Sequence, residues 1–263
     1  MRRGSIFWGL IITIAGILLL LESLDLLPGN FGDYFWPLAL ILAGLFVLLG
    51  RNLFRGSQTT ETVSIPLEGS REAEIDLHHG AGKLIVTALD APGVLLSGTF
   101  TEGVQSSVSR SGERARVKLS SPDAVFFPPF ANMEGLNWDL GLSRDVKLNL
   151  SLHSGANDAR LNLQDLNVSE LVVETGASSS NIVLPAHAGF TRVVVKAGAA
   201  SIDLRVPESV AASIEVQSGL SGNNIDSARF PRQGSRYESP NYQSADNKVD
   251  IHIESGVGSV SVH

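Results

Sequence analysis

The chain has 263 residues, no cysteine and a net charge of −7, which excludes disulfides, thiolate metal sites, iron–sulfur clusters and thiol catalysis. Residues 1–56 carry four Arg against three acids, so the remainder of the chain carries −8. An acidic domain without a basic stripe repels phosphate backbones, which sets aside nucleic acid as a partner.

The first predicted element is a helix in the uncharged stretch from Gly4 to Leu21, and the second lies in the uncharged stretch from Tyr34 to Gly50. At about 1.5 Å per residue each reaches roughly 26 Å, enough for a bilayer core. A cleaved signal peptide would need a small-x-small site after Leu21; Glu22, Asp25 and Asp33 lead instead into the second apolar run. Tyr34 and Trp36 stand where an interfacial belt would lie, and Pro37 falls in the first helical turn, where its missing N–H costs little. Arg2, Arg3, Arg51 and Arg55 flank the two runs, and no basic residue lies between Glu22 and Asp33. Positive residues stay on the cytoplasmic side, so the expectation is a two-span protein of the cell membrane with its N-terminus and its remaining domain in the cytoplasm. Gly9, Gly16 and Gly44 are the candidate helix-packing positions, since small residues let spans approach closely.

Residues 1–55 thus read as a transmembrane hairpin, 56–62 as a polar linker and 63–263 as a β domain. Within the β domain short alternating runs recur around a glycine, as in Ile75-Asp76-Leu77-His78-His79-Gly80-Ala81 and Leu171-Val172-Val173-Glu174-Thr175-Gly176-Ala177. The other copies centre on Gly155, Gly198, Gly219 and Gly256. In all six, the positions five and three before the glycine are aliphatic, and the next residue is Ala, Leu or Val. After Gly80, Gly198 and Gly256 the next inward pair is expected at plus four and plus six. After Gly155 and Gly176 it is expected at plus six and plus eight, and Gly219 follows this longer pattern with Ile225, as though two residues were added to the turn. The middle glycines are spaced 21, 22 and 21 residues apart. The predicted fold is therefore an all-β domain of β-solenoid type, with coils of about 21 residues stacking aliphatic side chains on one another, in preference to a β-sandwich. Each glycine marks a corner where φ is positive or where backbones approach closely.

An aromatic insertion at 103–144 interrupts the series. It reads as a plug over the stack and also supplies the candidate partner surface, Phe126, Phe127, Phe130 and Trp138. Residues 227–247 read as a long loop before the last strand pair. The position two before the glycine, which holds His78, His153, Glu174, Lys196, Gln217 and Glu254, is expected to face solvent. His78, His79 and His153 would meet only if their coils were neighbours, and no further ligand accompanies them at fixed spacing, so no metal is assigned. No Walker loop, nucleophile elbow or His-Glu-x-x-His helix is present. Asp76 and Glu215 share the position four before the glycine, but on coils distant in sequence. No catalytic residue or cofactor is assigned, and the domain reads as a non-enzymatic binding module.

The run Gly9-Leu10-Ile11-Ile12-Thr13-Ile14-Ala15-Gly16 and the later Trp36-Pro37-Leu38-Ala39-Leu40-Ile41-Leu42-Ala43-Gly44 resemble the transmembrane region shared by LiaI and LiaF proteins of bacterial envelope-stress systems. The glycine-punctuated repeats resemble adhesin-like or toast-rack β domains. The resemblance implies a regulator or scaffold of the cell-envelope stress response that contacts a membrane sensor kinase or another envelope-stress protein, with the lipid bilayer and a second copy of the chain as further partners. The alternative is a surface-exposed adhesin-like module, which requires residues 57–263 to lie outside the cell.

Overall fold

The computed structural model describes Thr13, residues 60–122 and residues 136–263. The expected hairpin with Gly9, Gly16 and Gly44, and the aromatic run with Phe126, Phe127 and Phe130, lie outside the described residues. Among the described residues no helix is long and apolar enough to cross a membrane.

The described β domain contains β1 (Thr60–Pro66), β2 (Glu72–Leu89), β3 (Val94–Thr101), β4 (Gln105–Ser111), β5 (Arg114–Ser120), β6 (Leu136–Ser143), β7 (Lys147–Asn162), β8 (Asn167–Val183), β9 (Phe190–Arg205), β10 (Ala211–Ile225), β11 (Arg232–Gln233), β12 (Arg236–Glu238) and β13 (Lys248–Val262). The first strand begins at Thr60, inside the segment read as linker. Six long strands, each centred on a repeat glycine, run parallel and in register in the order β2-β7-β8-β9-β13-β10.

Alternation along each strand, inverted once at the glycine, turns both arms toward one core. In β2 the buried residues are Ala73, Ile75, Leu77 and His79 before Gly80, then Leu84 and Val86 after it. The same rows recur up the stack: Ile75, Leu150, Leu171, Val193, Ile251 and Ile214 form one column of buried aliphatics. Burying each such side chain contributes about 1.5–3 kcal/mol relative to exposure.

The corner has one length in all six strands, which corrects the expected two-residue insertion. Leu84 pairs with Ala159, Ala159 with Ser180, Ser180 with Ile202 and Ile202 with Val260, so the plus-four position points inward everywhere along β2, β7, β8, β9 and β13. Ala159 and Ser180 are buried there. Being small or polar, they left the aliphatic pattern to begin two residues later.

The glycines themselves form a column. A Cβ on Gly176 would lie 2.8 Å from the carbonyl oxygen of Gly155; one on Gly198 would lie 2.8 Å from that of Gly176, and one on Gly256 2.6 Å from that of Gly198. None of the six repeat glycines has a positive φ, so at Gly155, Gly176, Gly198, Gly219 and Gly256 close approach, and not left-handed backbone, is the reason for glycine.

Strand order departs from chain order at the end. The last strand, β13, lies between β9 and β10, so the 21-residue step from Gly198 to Gly219 does not lead to a neighbouring strand. The side chains suit this exchange. On β13 the inward residues Val260 and Val262 are fully buried, whereas β10 carries exposed Asn223 and half-buried Ile225 in the same rows and takes the outer position. The segment read as a long loop closes that end: β12 pairs antiparallel with β10, and Phe230 is fully buried. Arg229 stacks over the Phe230 ring at 4.9 Å and donates to the carbonyls of Val206, Pro207 and Val210, fixing the β9–β10 crossover.

At the opposite end, the described parts of the segment read as an insertion, β4, β5 and β6, belong to the sheet. Strand β5 pairs parallel with the first arm of β2 and β6 pairs parallel with its second arm, so together they make a further layer, interrupted at the corner. The β4–β5 hairpin and the ladder of β6, β3 and β1 extend the two arms outward. Trp138 is 1% exposed, with Phe100 at 5.2 Å and His79 at 5.0 Å packed edge-on against it. Its assignment to a partner surface is therefore corrected: on β6 its position alternates inward, and it fills the core at the end of the aliphatic stack.

Candidate functional site

On the outer face of the first arm, parallel register brings the residues two before each glycine into a ladder. In stack order it reads His78, His153, Glu174, Lys196, Glu254 and Gln217. All six are at least partly exposed, as the alternation requires. An open groove of about 560 Å³ runs along the corner beside this ladder, lined by His78, His153, Glu174 and Lys196 together with Ser121 and Thr175.

Two clusters of opposite character occupy the two ends. The row toward β5 begins with ion pairs: Glu72 accepts from Arg114 at 2.8 Å and Glu74 from Arg116 at 2.8 Å. At Asp76 the pattern changes. Lys118 lies in register opposite Asp76, yet the ion-pair partners of Asp76 among the described residues are imidazoles. His78 Nε2 is 3.1 Å from both carboxylate oxygens of Asp76, and its hydrogen bond is to Oδ2. His153 Nε2 lies 3.7 Å from Asp76 Oδ1, while its Nδ1 is 3.2 Å from Glu174 Oε2. The His78 and His153 rings stack with centroids 4.8 Å apart. His79, one residue further on, points inward: its Nε2 donates to the Leu136 carbonyl at 3.0 Å. Burial holds its imidazole below the ordinary value, the bond to Leu136 opposing only in part.

At the other end Arg236 Nη2 lies 2.9 Å from Glu215 Oε2, and His252 Nε2 lies 3.1 Å from Glu254 Oε1. A hydrogen bond from Gln217, with the charges of Arg236 and His252, holds the Glu215 carboxyl below the usual carboxylate range. This cluster supplies its own cation. Asp76 and Glu215 are separated by five strand spacings, about 24 Å, so they form no carboxylate pair.

Sequence reasoning placed the ladder on the outside but not His78 beside His153. The two are 75 positions apart, and they meet because residues 94–122 and 136–143 fold away to the β5 and β6 side of β2, leaving its other edge to β7. The repeat alignment itself, which sets His78 and His153 at the same place, was the signal that could have found the pair.

Models of known families match the chain in several stretches. Residues 54–205 match the family model of the N-terminal domain of toast_rack, DUF2154. Residues 6–48 match the LiaI-LiaF-like transmembrane region, and residues 153–262 match the model described as cell wall-active antibiotics response LiaF, C-terminal. Among solved structures, a candidate cell adhesion protein from Clostridium sporogenes ATCC 15579 is similar in fold, with a TM-score of 0.72 at 19% identity over 78% of this chain and 99% of that one. A candidate adhesin from Bacteroides fragilis NCTC 9343 aligns with a TM-score of 0.26 at 8% identity over 79% of this chain and 98% of that one, too weak a likeness to carry an argument. No curated protein matches the chain in sequence. The toast_rack model spans more than half of the chain, through the end of β9, and the chain belongs to that family, with a LiaI-LiaF-like transmembrane region ahead of its β domain.

Proposed function

We propose that the chain is a membrane-anchored, non-enzymatic regulator or scaffold of a bacterial cell-envelope stress response, acting through contact with a sensor kinase or a related membrane partner. The observation that carries this reading is the joining, in one chain, of a LiaI-LiaF-like transmembrane region at 6–48 to a LiaF-like C-terminal region at 153–262. Two spans hold the protein in the membrane, and Arg2, Arg3, Arg51 and Arg55 keep both chain ends in the cytoplasm. Gly9, Gly16 and Gly44 pack the spans against one another or against a partner's spans. The β domain is a preorganised display: its outer ladders are fixed by register, so a partner that meets them loses little to ordering on this side. Phe126, Phe127 and Phe130 form the apolar part of the partner surface, without Trp138.

The reading predicts that the full chain, purified in mild detergent from its native membrane, brings a sensor kinase with it. It also predicts that deletion of the gene raises transcription of envelope-stress genes in unstressed cells. A deletion strain with unchanged transcription, together with loss of attachment to surfaces, would favour the adhesin-like alternative.

A further inference from the structure

We propose that Asp76, His78 and His153 form a binding site for a divalent transition metal of the zinc class, with Glu174 as the outer carboxylate that orients His153. Asp76, His78 and His153 offer one ligand atom each, and the three atoms lie within 4.8 Å of one another. Metal–ligand bonds of about 2.0–2.1 Å at tetrahedral angles place donor atoms about 3.3 Å apart. The carboxylate oxygen sits 3.1 Å from one imidazole nitrogen and 3.7 Å from the other, so small side-chain rotations close the set.

The charged neighbours prepare the site. Glu174 Oε2 stands 3.2 Å from His153 Nδ1, which favours a proton on that nitrogen and leaves Nε2 on the side of Asp76 Oδ1. That oxygen is buried and has no hydrogen bond. Two acceptors thus face each other across a gap that a cation fills. His78 completes the set as the tautomer that carries its proton on Nδ1. Nitrogen and carboxylate donors without sulfur suit zinc and its first-row neighbours. The scaffold is stiff: Asp76 and His78 share one strand face, and His153 is held beside His78 by the β2–β7 ladder. His78 and His153 line the open groove, and a set of three protein ligands leaves a fourth position for water or for a group from a partner. The cluster of Glu215, His252 and Glu254 does not qualify, because Arg236 already balances it.

The test uses the full, tag-free chain in detergent, stripped with chelator and titrated calorimetrically with Zn²⁺ alone. The expected result is saturation at one Zn²⁺ per chain at micromolar concentration. Paired substitution His78→Ala and His153→Ala removes that binding, and His252→Ala leaves it unchanged. Glu174→Gln keeps the stoichiometry and weakens affinity by about 10–100-fold, as expected for an outer carboxylate. Should the paired variant lose its sheet signal in circular dichroism, the near-isosteric Asp76→Asn decides the matter, with a loss of at least about tenfold expected. Zinc affinity unchanged in both Asp76→Asn and Glu174→Gln, or no saturation at millimolar zinc, overturns the proposal.

Discussion

Replacing one repeat glycine by alanine tests the packing that sets the whole ladder. In Gly176→Ala the new Cβ meets the Gly155 carbonyl oxygen at 2.8 Å, and in Gly256→Ala it meets the Gly198 carbonyl oxygen at 2.6 Å. Restoring ordinary contact requires the coils to part by about half an ångström, across ladders whose hydrogen bonds hold them on both sides. Overpacking of this kind costs about 1–3 kcal/mol. In a domain of this size that lowers the melting temperature by about 2–4 °C for each kcal/mol. Gly80→Ala supplies the control, because its Cβ would meet only Ser121 Oγ at 3.5 Å and Leu136 Cδ1 at 3.9 Å, both ordinary contacts. With no positive φ at Gly80, that substitution is expected to be neutral or to stabilise by up to about 1 kcal/mol through the unfolded chain. Gly219→Ala also meets a carbonyl at 2.8 Å, but β10 is the outermost of the six long strands and can move, so its cost should fall between the two. Thermal unfolding of the full chain, followed by far-ultraviolet circular dichroism, gives the ranking. Equal melting temperatures for Gly80→Ala and Gly256→Ala would refute the close-approach argument.

Three further outcomes follow from the same structure. In the cysteine-free chain, Lys196→Cys with Glu254→Cys should form a disulfide on mild oxidation, because the two are in register on adjacent strands about 4.8 Å apart. Lys196→Cys with Gln217→Cys, two strand spacings apart, should not; the reverse result would restore sequential stacking. Trp138→Ala should cost about 3–5 kcal/mol in urea unfolding, as truncation of a buried aromatic does, whereas a partner-surface residue would change stability by under about 0.5 kcal/mol. The His79 imidazole is held below its ordinary 6.5 by burial, so the unfolded chain takes up that proton at a higher pH than the native one. This contribution to stability is complete above pH 6.5 and declines as the pH falls below it; His79→Gln, which keeps a donor for Leu136, should flatten the melting-temperature profile in that range.

The inward rows before each glycine were legible in the sequence because period-two alternation and the glycine mark them twice over. Beyond the glycine the reading slipped where Ala159 and Ser180 occupy inward positions, since hydropathy alone does not distinguish a small core residue from a turn. The exchange of β13 and β10 was not legible. Parallel strands with the same repeat are interchangeable in register, and the difference lies in a few side chains, with Asn223 against Val260 the clearest. Trp138 was misread for a related reason: an aromatic in a segment without a repeat glycine looked like surface, although it alternates with Leu140 and Leu142 into the core. The site required both readings at once, the repeat alignment that equates His78 with His153 and the strand order that makes them neighbours.

Orientation of the β domain decides between a regulator that meets cytoplasmic kinase domains and a module that meets the outside. Single cysteines at Asn30, Ser57 and Leu220, probed in intact cells with a membrane-impermeant maleimide, measure it directly, and the last of these positions is 83% exposed. Labelling of Asn30→Cys alone is the predicted result. Labelling of Ser57→Cys and Leu220→Cys in intact cells, with Asn30→Cys protected, would contradict it and place the β domain outside.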